Sequence, residues 1–250
     1  MGAPRPSRHN PYFDLLDACK QRGCPICTLV LGVVRHYLEA IVYECVNDPP
    51  TRIAVVASHG YCNDHTWQLH EMRASLGAAI MYRDVLRGVM NSIAVRSAGS
   101  RLSLFAPRKY YLGVLSRLTS FVNSAEPPGI GRSLADPHAA CPACQVRERS
   151  ELGYLGAVLE HIDEMEFLEA FRGTGGLCIV HLDQAASTAR DIAAVDRLLA
   201  VQVELLQSLD AELSEFLRKQ DYRFRAEDIG HEGDSWIRAL AMVAGKRGVR

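Results

Sequence analysis

The chain has 250 residues, of which 48% are hydrophobic, and its 28 basic and 29 acidic residues leave a formal net charge of -1. This length and apolar content allow a sizeable buried core in one large or two small domains. The balanced charge argues against a dedicated nucleic-acid binder, and no apolar run approaches the ~18 residues of a membrane span, so we expect neither partner.

The N-terminus predicts a cytoplasmic protein. Its first residues, MGAPRPSRHNP, are polar and rich in proline, and the apolar region of a signal peptide does not follow them. Thiols are kept reduced in the cytoplasm. The eight cysteines of the chain therefore indicate metal or redox chemistry rather than structural disulfides.

Hydrophobic periodicity in the first half predicts helices. Residues 30–43 are apolar enough for a buried helix, residues 78–95 repeat with a helical period, and residues 110–122 are a further candidate. Residues 51–58 fit either a short strand or a helical turn. Because no convincing run of alternating residues occurs, we expect an all-α fold.

The second half carries the clearest helical pattern. Over residues 189–219, apolar side chains recur at alternating steps of three and four residues, interrupted once by Gln202. The apolar stripe is wide, which favours packing inside the chain over an intermolecular coiled coil. A last helix is predicted over 234–245, and we expect the basic residues 246–250 to be frayed.

Two motifs occur twice, which predicts an internal duplication. The sequence CPIC at 24–27 recurs as CPAC at 141–144, and GYCNDH at 60–65 recurs as GLCIVH at 176–181. The intervals between the motifs also match: 34 residues lie between Cys27 and Cys62, and 33 residues lie between Cys144 and Cys178.

A loop rich in turn-forming residues, 124–131, marks the predicted boundary between the copies. We therefore predict a first repeat over 1–125 and a second repeat, with the C-terminal helices, over 126–250. The predicted fold class is all-α: duplicated helical repeats, each with a Cys3His metal site, plus a long C-terminal helix.

Each repeat offers three thiols and one imidazole, the ligand types of structural zinc. Cys-x2-Cys presents two thiolates from one turn, and its proline suits the first helical turn, where the helix dipole favours thiolates. In Cys-x2-His the ligands share one helix face, and the preceding glycine allows a sharp turn at positive φ. The predicted ligands of two zinc ions are Cys24, Cys27, Cys62 and His65, and Cys141, Cys144, Cys178 and His181.

Alternatives to this arrangement remain open at the level of sequence. The CxxC pair of one half could share an ion with the CxxH pair of the other half. Three Cys and one His can also hold an iron–sulfur cluster, whereas a dithiol redox motif usually accompanies a βαβ pattern that is missing here. Cys19 and Cys45 lie outside the pattern, and we expect buried or idle thiols there.

No catalytic constellation is evident, so we expect a non-enzymatic zinc-binding protein that acts by binding another protein. An enzyme with an acidic cleft between the repeats, formed by Glu44, Asp48, His161 and Glu164, is the alternative.

Several segments of the sequence resemble a known family. These are CPIC, YLEAIVYECVNDP, GYCNDH, CPAC, GLCIVH, RKQDYRF and EGDSWIRAL. Over about Asp14 to Gly245 the chain resembles prokaryotic proteins grouped as a domain of unknown function, with the duplicated CPxC and GxCxxH motifs as the most specific part. The resemblance supports the helical fold and the metal sites and implies no reaction.

Overall fold

The structure, a computed structural model, describes residues 10–98, 139–224 and 226–249. In these residues all regular secondary structure is helical, so the predicted all-α class is confirmed. The predicted helix over 110–122 and the predicted boundary loop over 124–131 lie outside the described residues. The division into repeats therefore stays a prediction.

The α-helices follow one another with short connections. In chain order the described residues form α1 (Asn10–Ala18), α2 (Pro25–Tyr43), α3 (Pro49–Ala57), α4 (Asn63–Glu71), α5 (Ser75–Ala98), α6 (Pro142–His161), α7 (Met165–Thr174), α8 (Ile179–Thr188), α9 (Ile192–Lys219) and α10 (Ser235–Ala244). Two 3₁₀ helices, Tyr222–Phe224 and His231–Asp234, lie between α9 and α10.

The chain divides into two compact units. The terminal unit comprises residues 1–37 and 145–250, and the central unit comprises residues 38–144. The unit boundaries fall inside α2 and near the start of α6. The terminal unit thus combines the beginning of the first predicted repeat with most of the second.

In the central unit, residues 51–58, which by sequence fit either a short strand or a helical turn, belong to α3 and its C-cap. The Asp48 carboxylate caps this helix by accepting a hydrogen bond from the Thr51 N–H at 3.0 Å. Arg52 donates from Nε to Asp84 on α5 at 2.8 Å, which joins the two helices. Gly77 permits close packing, because a Cβ there would lie 2.3 Å from the Val42 carbonyl oxygen.

In the terminal unit, the long helix α9 contributes the central packing stripe. The helix begins at Ile192 because the Asp191 side chain accepts hydrogen bonds from the N–H groups of residues 193 and 194. Leu198 and Gln202 are buried one turn apart. The polar side chain that interrupts the apolar pattern therefore lies inside the core, where it needs a hydrogen-bond partner.

Helix α2 is apolar along much of its length. With 19 residues, it is long and apolar enough to cross a membrane by length and composition alone. The expectation that no segment approaches this limit is therefore wrong at α2. A buried core helix passes the same test, and Val30, Val34 and Leu38 on α2 are buried within the protein.

The basic residues after α10 are packed rather than frayed, so that expectation is wrong through residue 249. Gly245 ends the helix with a φ of 80°. The Lys246 ammonium donates to the Thr28 hydroxyl at 2.6 Å, and Arg147 donates to the Val249 carbonyl at 2.9 Å. These contacts fasten the end of the chain to α2 and α6.

Candidate metal centres

The two CPxC motifs start helices, as predicted. Pro25 is the first residue of α2 and Pro142 is the first residue of α6. A proline at this position loses no helical hydrogen bond, since the first N–H groups of a helix have no intrahelical acceptor. One cysteine therefore precedes each helix, and the second lies in its first turn.

The two CxxH motifs also start helices. Cys62 is the N-cap of α4 and Cys178 is the N-cap of α8, so each histidine falls in the first turn. Gly60 and Gly176 both have a φ of 92°, a left-handed conformation that favours glycine. The predicted glycine turn before each ligand pair is thus confirmed.

The terminal unit gathers Cys24, Cys27, Cys178 and His181, which we call the terminal site. Its imidazole Nδ1 lies 3.4 Å from the sulfurs of Cys24 and Cys27 and 3.2 Å from that of Cys178. The sulfurs of Cys27 and Cys178 are 3.7 Å apart. All four residues are buried.

The central unit gathers Cys62, His65, Cys141 and Cys144, which we call the central site. The His65 Nδ1 lies 3.1 Å from the Cys62 sulfur, 3.6 Å from that of Cys141 and 3.5 Å from that of Cys144. The sulfurs of Cys62 and Cys144 are 3.7 Å apart. Only the histidine is fully buried here, and the three cysteines are partly exposed.

These separations match the edges of one coordination tetrahedron. With metal–sulfur bonds of about 2.3 Å and metal–nitrogen bonds of about 2.0–2.1 Å, a tetrahedron has edges of roughly 3.8 Å between sulfurs and roughly 3.5 Å between sulfur and nitrogen. In each site all four ligand atoms lie within 4.8 Å of one another. Each site could therefore hold one metal ion, with Nδ1 as the nitrogen ligand.

The ligand pairs are exchanged between the predicted repeats. The CxxC pair at 24–27 meets the CxxH pair at 178–181, and the CxxC pair at 141–144 meets the CxxH pair at 62–65. The prediction that each repeat contains its own site is wrong, and the exchanged alternative is the one found. The cause is the path of the chain, because α2 begins in the unit that contains α8.

Hydrogen bonding within each site favours a thiolate among the cysteines. In the terminal site, hydrogen bonds from Cys24 and Cys27 hold the pKa of the Cys178 thiol far below its usual range. In the central site, burial alone would raise the pKa of Cys141, but hydrogen bonds from His65 and from backbone N–H groups lower it to about 6. Thiolates are the form of cysteine that binds metals.

The loop before Cys178 is held by groups that the motif does not contain. The buried Gln202 amide oxygen accepts a hydrogen bond from the Leu177 N–H at 2.9 Å. The Thr174 hydroxyl accepts from the Gly176 N–H at 3.0 Å, and the Thr174 carbonyl accepts from the Gly23 N–H at 2.7 Å. The last bond connects the loops that carry the two ligand pairs of the terminal site.

A buried carboxylate lies behind the imidazole of the terminal site. The Oε1 atom of Glu151 is 3.5 Å from His181 Nε2, which is the ring nitrogen that does not face the sulfurs. Burial raises the pKa of Glu151, but the nearby His181 ring, a hydrogen bond from Gln184 and the charge of Arg147 lower it overall. Glu151 is not part of either sequence motif and was not predicted as a site residue. Its position on α6 brings it to the terminal site.

The remaining candidate residues lie apart from both metal sites. Cys19 and Cys45 belong to neither group, and burial raises the pKa of Cys19 to about 11. Of the alternative acidic cleft, Asp48 caps α3 in the central unit, while in the terminal unit His161 Nδ1 lies 2.7 Å from Glu164 Oε1. Within the described residues, the metal-capable groups are the two Cys3His sites.

Comparison with curated proteins and with solved structures finds no match to this chain. A family model, described as a family of unknown function (DUF6062), matches residues 11–249, which is nearly the whole chain. The match confirms the resemblance to a family of unknown function, and the chain belongs to this family.

Proposed function

We propose that the protein is a non-enzymatic helical protein that binds two structural zinc ions and acts by binding another protein in the cytoplasm. The observation that carries the proposal is the presence of two complete Cys3His sets with tetrahedral edges. Four protein ligands leave no coordination position open, which is typical of structural rather than catalytic zinc.

The compactness of each ligand set supports a single ion over an iron–sulfur cluster. In a cluster, the protein ligands bind different irons that are bridged by sulfide, which spreads the ligand atoms beyond the edges of one tetrahedron. In both sites the four ligand atoms instead lie within 4.8 Å of one another. Sulfur-rich tetrahedral sites of this kind suit zinc.

The ions would connect parts of the chain that are distant in sequence. The sulfurs of Cys27 and Cys178 meet although the residues are 151 positions apart, and those of Cys62 and Cys144 meet across 82 positions. Structural zinc binding supplies on the order of 10–16 kcal/mol in small zinc domains, and that free energy becomes folding free energy. Zinc would therefore fix the helix arrangement of both units.

Binding to another protein is supported by an exposed apolar face on α10. Trp236, Ile237, Leu240 and Val243 follow a helical spacing and are all exposed, with Trp236 at 48%. Contiguous apolar surface of this kind is typical of interaction sites.

Metal analysis of the full-length protein, purified without oxygen, tests the metal assignment. We expect two zinc ions per chain, little iron and no visible absorption. A brown protein that contains iron and acid-labile sulfide would overturn the zinc assignment in favour of clusters. A colourless protein without bound metal would overturn the proposed function altogether.

Single Cys→Ser variants test whether the two sites act independently. Cys178→Ser and Cys62→Ser should each lower the zinc content from two to one and lower the thermal midpoint, by about 2–4 °C per kcal/mol of lost stability at this size. Cys45→Ser is the matched control, because Cys45 is partly exposed and outside both groups. Wild-type zinc content in either ligand variant would contradict the assignment of that ligand.

A further inference from the structure

The carboxylate of Glu151 is placed to control one histidine ligand. Glu151 is 2% exposed on α6, and its Oε1 lies 3.5 Å from His181 Nε2. The other ring nitrogen, Nδ1, faces the three sulfurs at 3.2–3.4 Å. The imidazole thus lies between the sulfur ligands and a buried carboxylate.

The chemistry of imidazole gives this placement a consequence. A neutral ring has one nitrogen that donates a hydrogen bond and one that accepts or binds metal. If Nδ1 binds the ion, Nε2 must carry the proton, and a buried N–H group needs an acceptor. The Glu151 carboxylate, with Oε1 3.5 Å from Nε2, is placed to supply that acceptor, and the hydrogen bond would select the tautomer and fix the ring orientation.

We propose that Glu151 is a positioning residue that holds His181 in its metal-binding orientation and slows loss of the terminal ion. The inference rests on the proposed function and extends it, since it predicts that the two sites lose their ions at different rates.

Neighbouring groups make a charged carboxylate possible at this buried position. Arg147 Nε lies 3.6 Å from Glu151 Oε1, and Gln184 donates to Oε2 at 3.3 Å. An isolated buried carboxylate would be costly, but a guanidinium nearby offsets that cost. The Arg147 side chain is itself held by the Val249 carbonyl, so the end of the chain supports the same arrangement.

The other predicted repeat does not supply an equivalent carboxylate. Seven residues after the second cysteine of the CPxC motif, the second repeat has Glu151 and the first has Val34. The cysteines of the central site are also partly exposed, whereas all four ligands of the terminal site are buried. The central ion should therefore exchange faster than the terminal ion.

Zinc release from the full-length, zinc-loaded protein to the chromogenic chelator pyridylazoresorcinol tests the inference. Wild type should release one ion quickly and one slowly, and Cys62→Ser should retain the slow phase. Glu151→Leu should accelerate the slow phase by about 10–100-fold and leave the fast phase unchanged. The isosteric Glu151→Gln keeps an acceptor without the charge, so its effect should be smaller.

The matched control is Glu148→Gln, one helical turn earlier on α6. Glu148 is exposed and lines the same surface depression as Glu151, but its pairing is with Arg147 rather than with the histidine. Release from this variant should equal that of wild type. Equal slow phases in Glu151→Gln, Glu151→Leu and Glu148→Gln would overturn the inference while leaving the zinc sites intact.

Long-range ¹H–¹⁵N NMR of the zinc-loaded protein separates positioning from a general loss of stability. We expect a His181 pattern with Nδ1 bound to metal and a protonated Nε2, and a shift of the Nε2–H signal in Glu151→Gln. An unchanged signal would contradict the hydrogen bond. If the wild type binds no zinc, the proposed function fails as well, whereas two zinc ions with an unchanged signal overturn only the role of Glu151.

Discussion

Replacement of Gly176 by alanine should damage the terminal site through a side chain that is not a ligand. At a φ of 92°, a Cβ on Gly176 would lie 2.4 Å from Gln202 Oε1 and 2.8 Å from Nε2. The adjacent Gly175 has nearly the same φ, 91°, but a Cβ there would meet nothing within 4 Å. The two glycines therefore form a matched pair that separates backbone strain from steric displacement.

The expected cost follows from these two contributions. A non-glycine residue in the left-handed region costs about 1–2 kcal/mol, and this applies to both variants. In Gly176→Ala the buried Gln202 amide must also move away from the Leu177 N–H, from which its oxygen accepts a hydrogen bond at 2.9 Å. Leaving that N–H unsatisfied adds about 1–3 kcal/mol. Gly176→Ala should thus be less stable than Gly175→Ala by about 1–3 kcal/mol.

Urea denaturation of both variants in zinc-containing buffer measures this difference, and a double-mutant cycle identifies its cause. In a Gln202→Ala background, the additional cost at Gly176 should disappear, because the colliding amide is absent. The reasoning is refuted if the two alanine variants are equally stable within about 0.5 kcal/mol, or if Gly176 and Gln202 show no coupling.

Two further predictions concern carboxylates outside the metal sites. Hydrogen bonds from Lys219, at 2.7 Å, and from the Gly230 N–H hold the pKa of Glu232 at about 2, below the usual 4.5. The stability that this group contributes is therefore present above pH 4.5 and lost as the pH falls toward 2. Urea denaturation at several pH values should show that the difference in unfolding free energy between wild type and Glu232→Gln shrinks over that range. A difference that stays constant with pH would contradict this prediction. Asp48→Ala removes the cap on the Thr51 N–H and should cost about 1 kcal/mol of unfolding free energy, whereas an unchanged urea midpoint would show that the cap contributes nothing.

The local structure of the ligand motifs could be predicted because it depends on residues close in sequence. Proline at the first helical position, cysteine at the N-cap and glycine at positive φ each follow from backbone geometry. Pro25, Pro142, Gly60 and Gly176 all behave as these rules require. The helices around the motifs were predictable for the same reason.

The residues that support the terminal site depend on tertiary contacts, and sequence reasoning missed them. Gln202 left a signal, because a polar residue interrupting an apolar stripe implies a buried hydrogen bond, here to Leu177. Glu151 left none, since an acidic residue on a helix is usually exposed. Its role follows only from the packing of α6 against α8, which brings its carboxylate to His181.

The exchange of ligand pairs between the predicted repeats could not be decided from sequence intervals, and chain entropy explains why. A site within one repeat would close a loop from Cys27 to Cys62, 35 positions, whereas the terminal site joins residues 151 positions apart. Loop-closure entropy grows only with the logarithm of length, so the longer loop costs roughly 1.3 kcal/mol more.

For the central site, the corresponding change from 34 positions to 82 costs roughly 0.8 kcal/mol. Both penalties are small compared with the free energy that structural zinc can supply, which is on the order of 10–16 kcal/mol. The loops are also nested, so closing the central site first shortens the path that the terminal site must still close. Helix packing, rather than the spacing of the motifs, therefore determines which cysteines meet in one site.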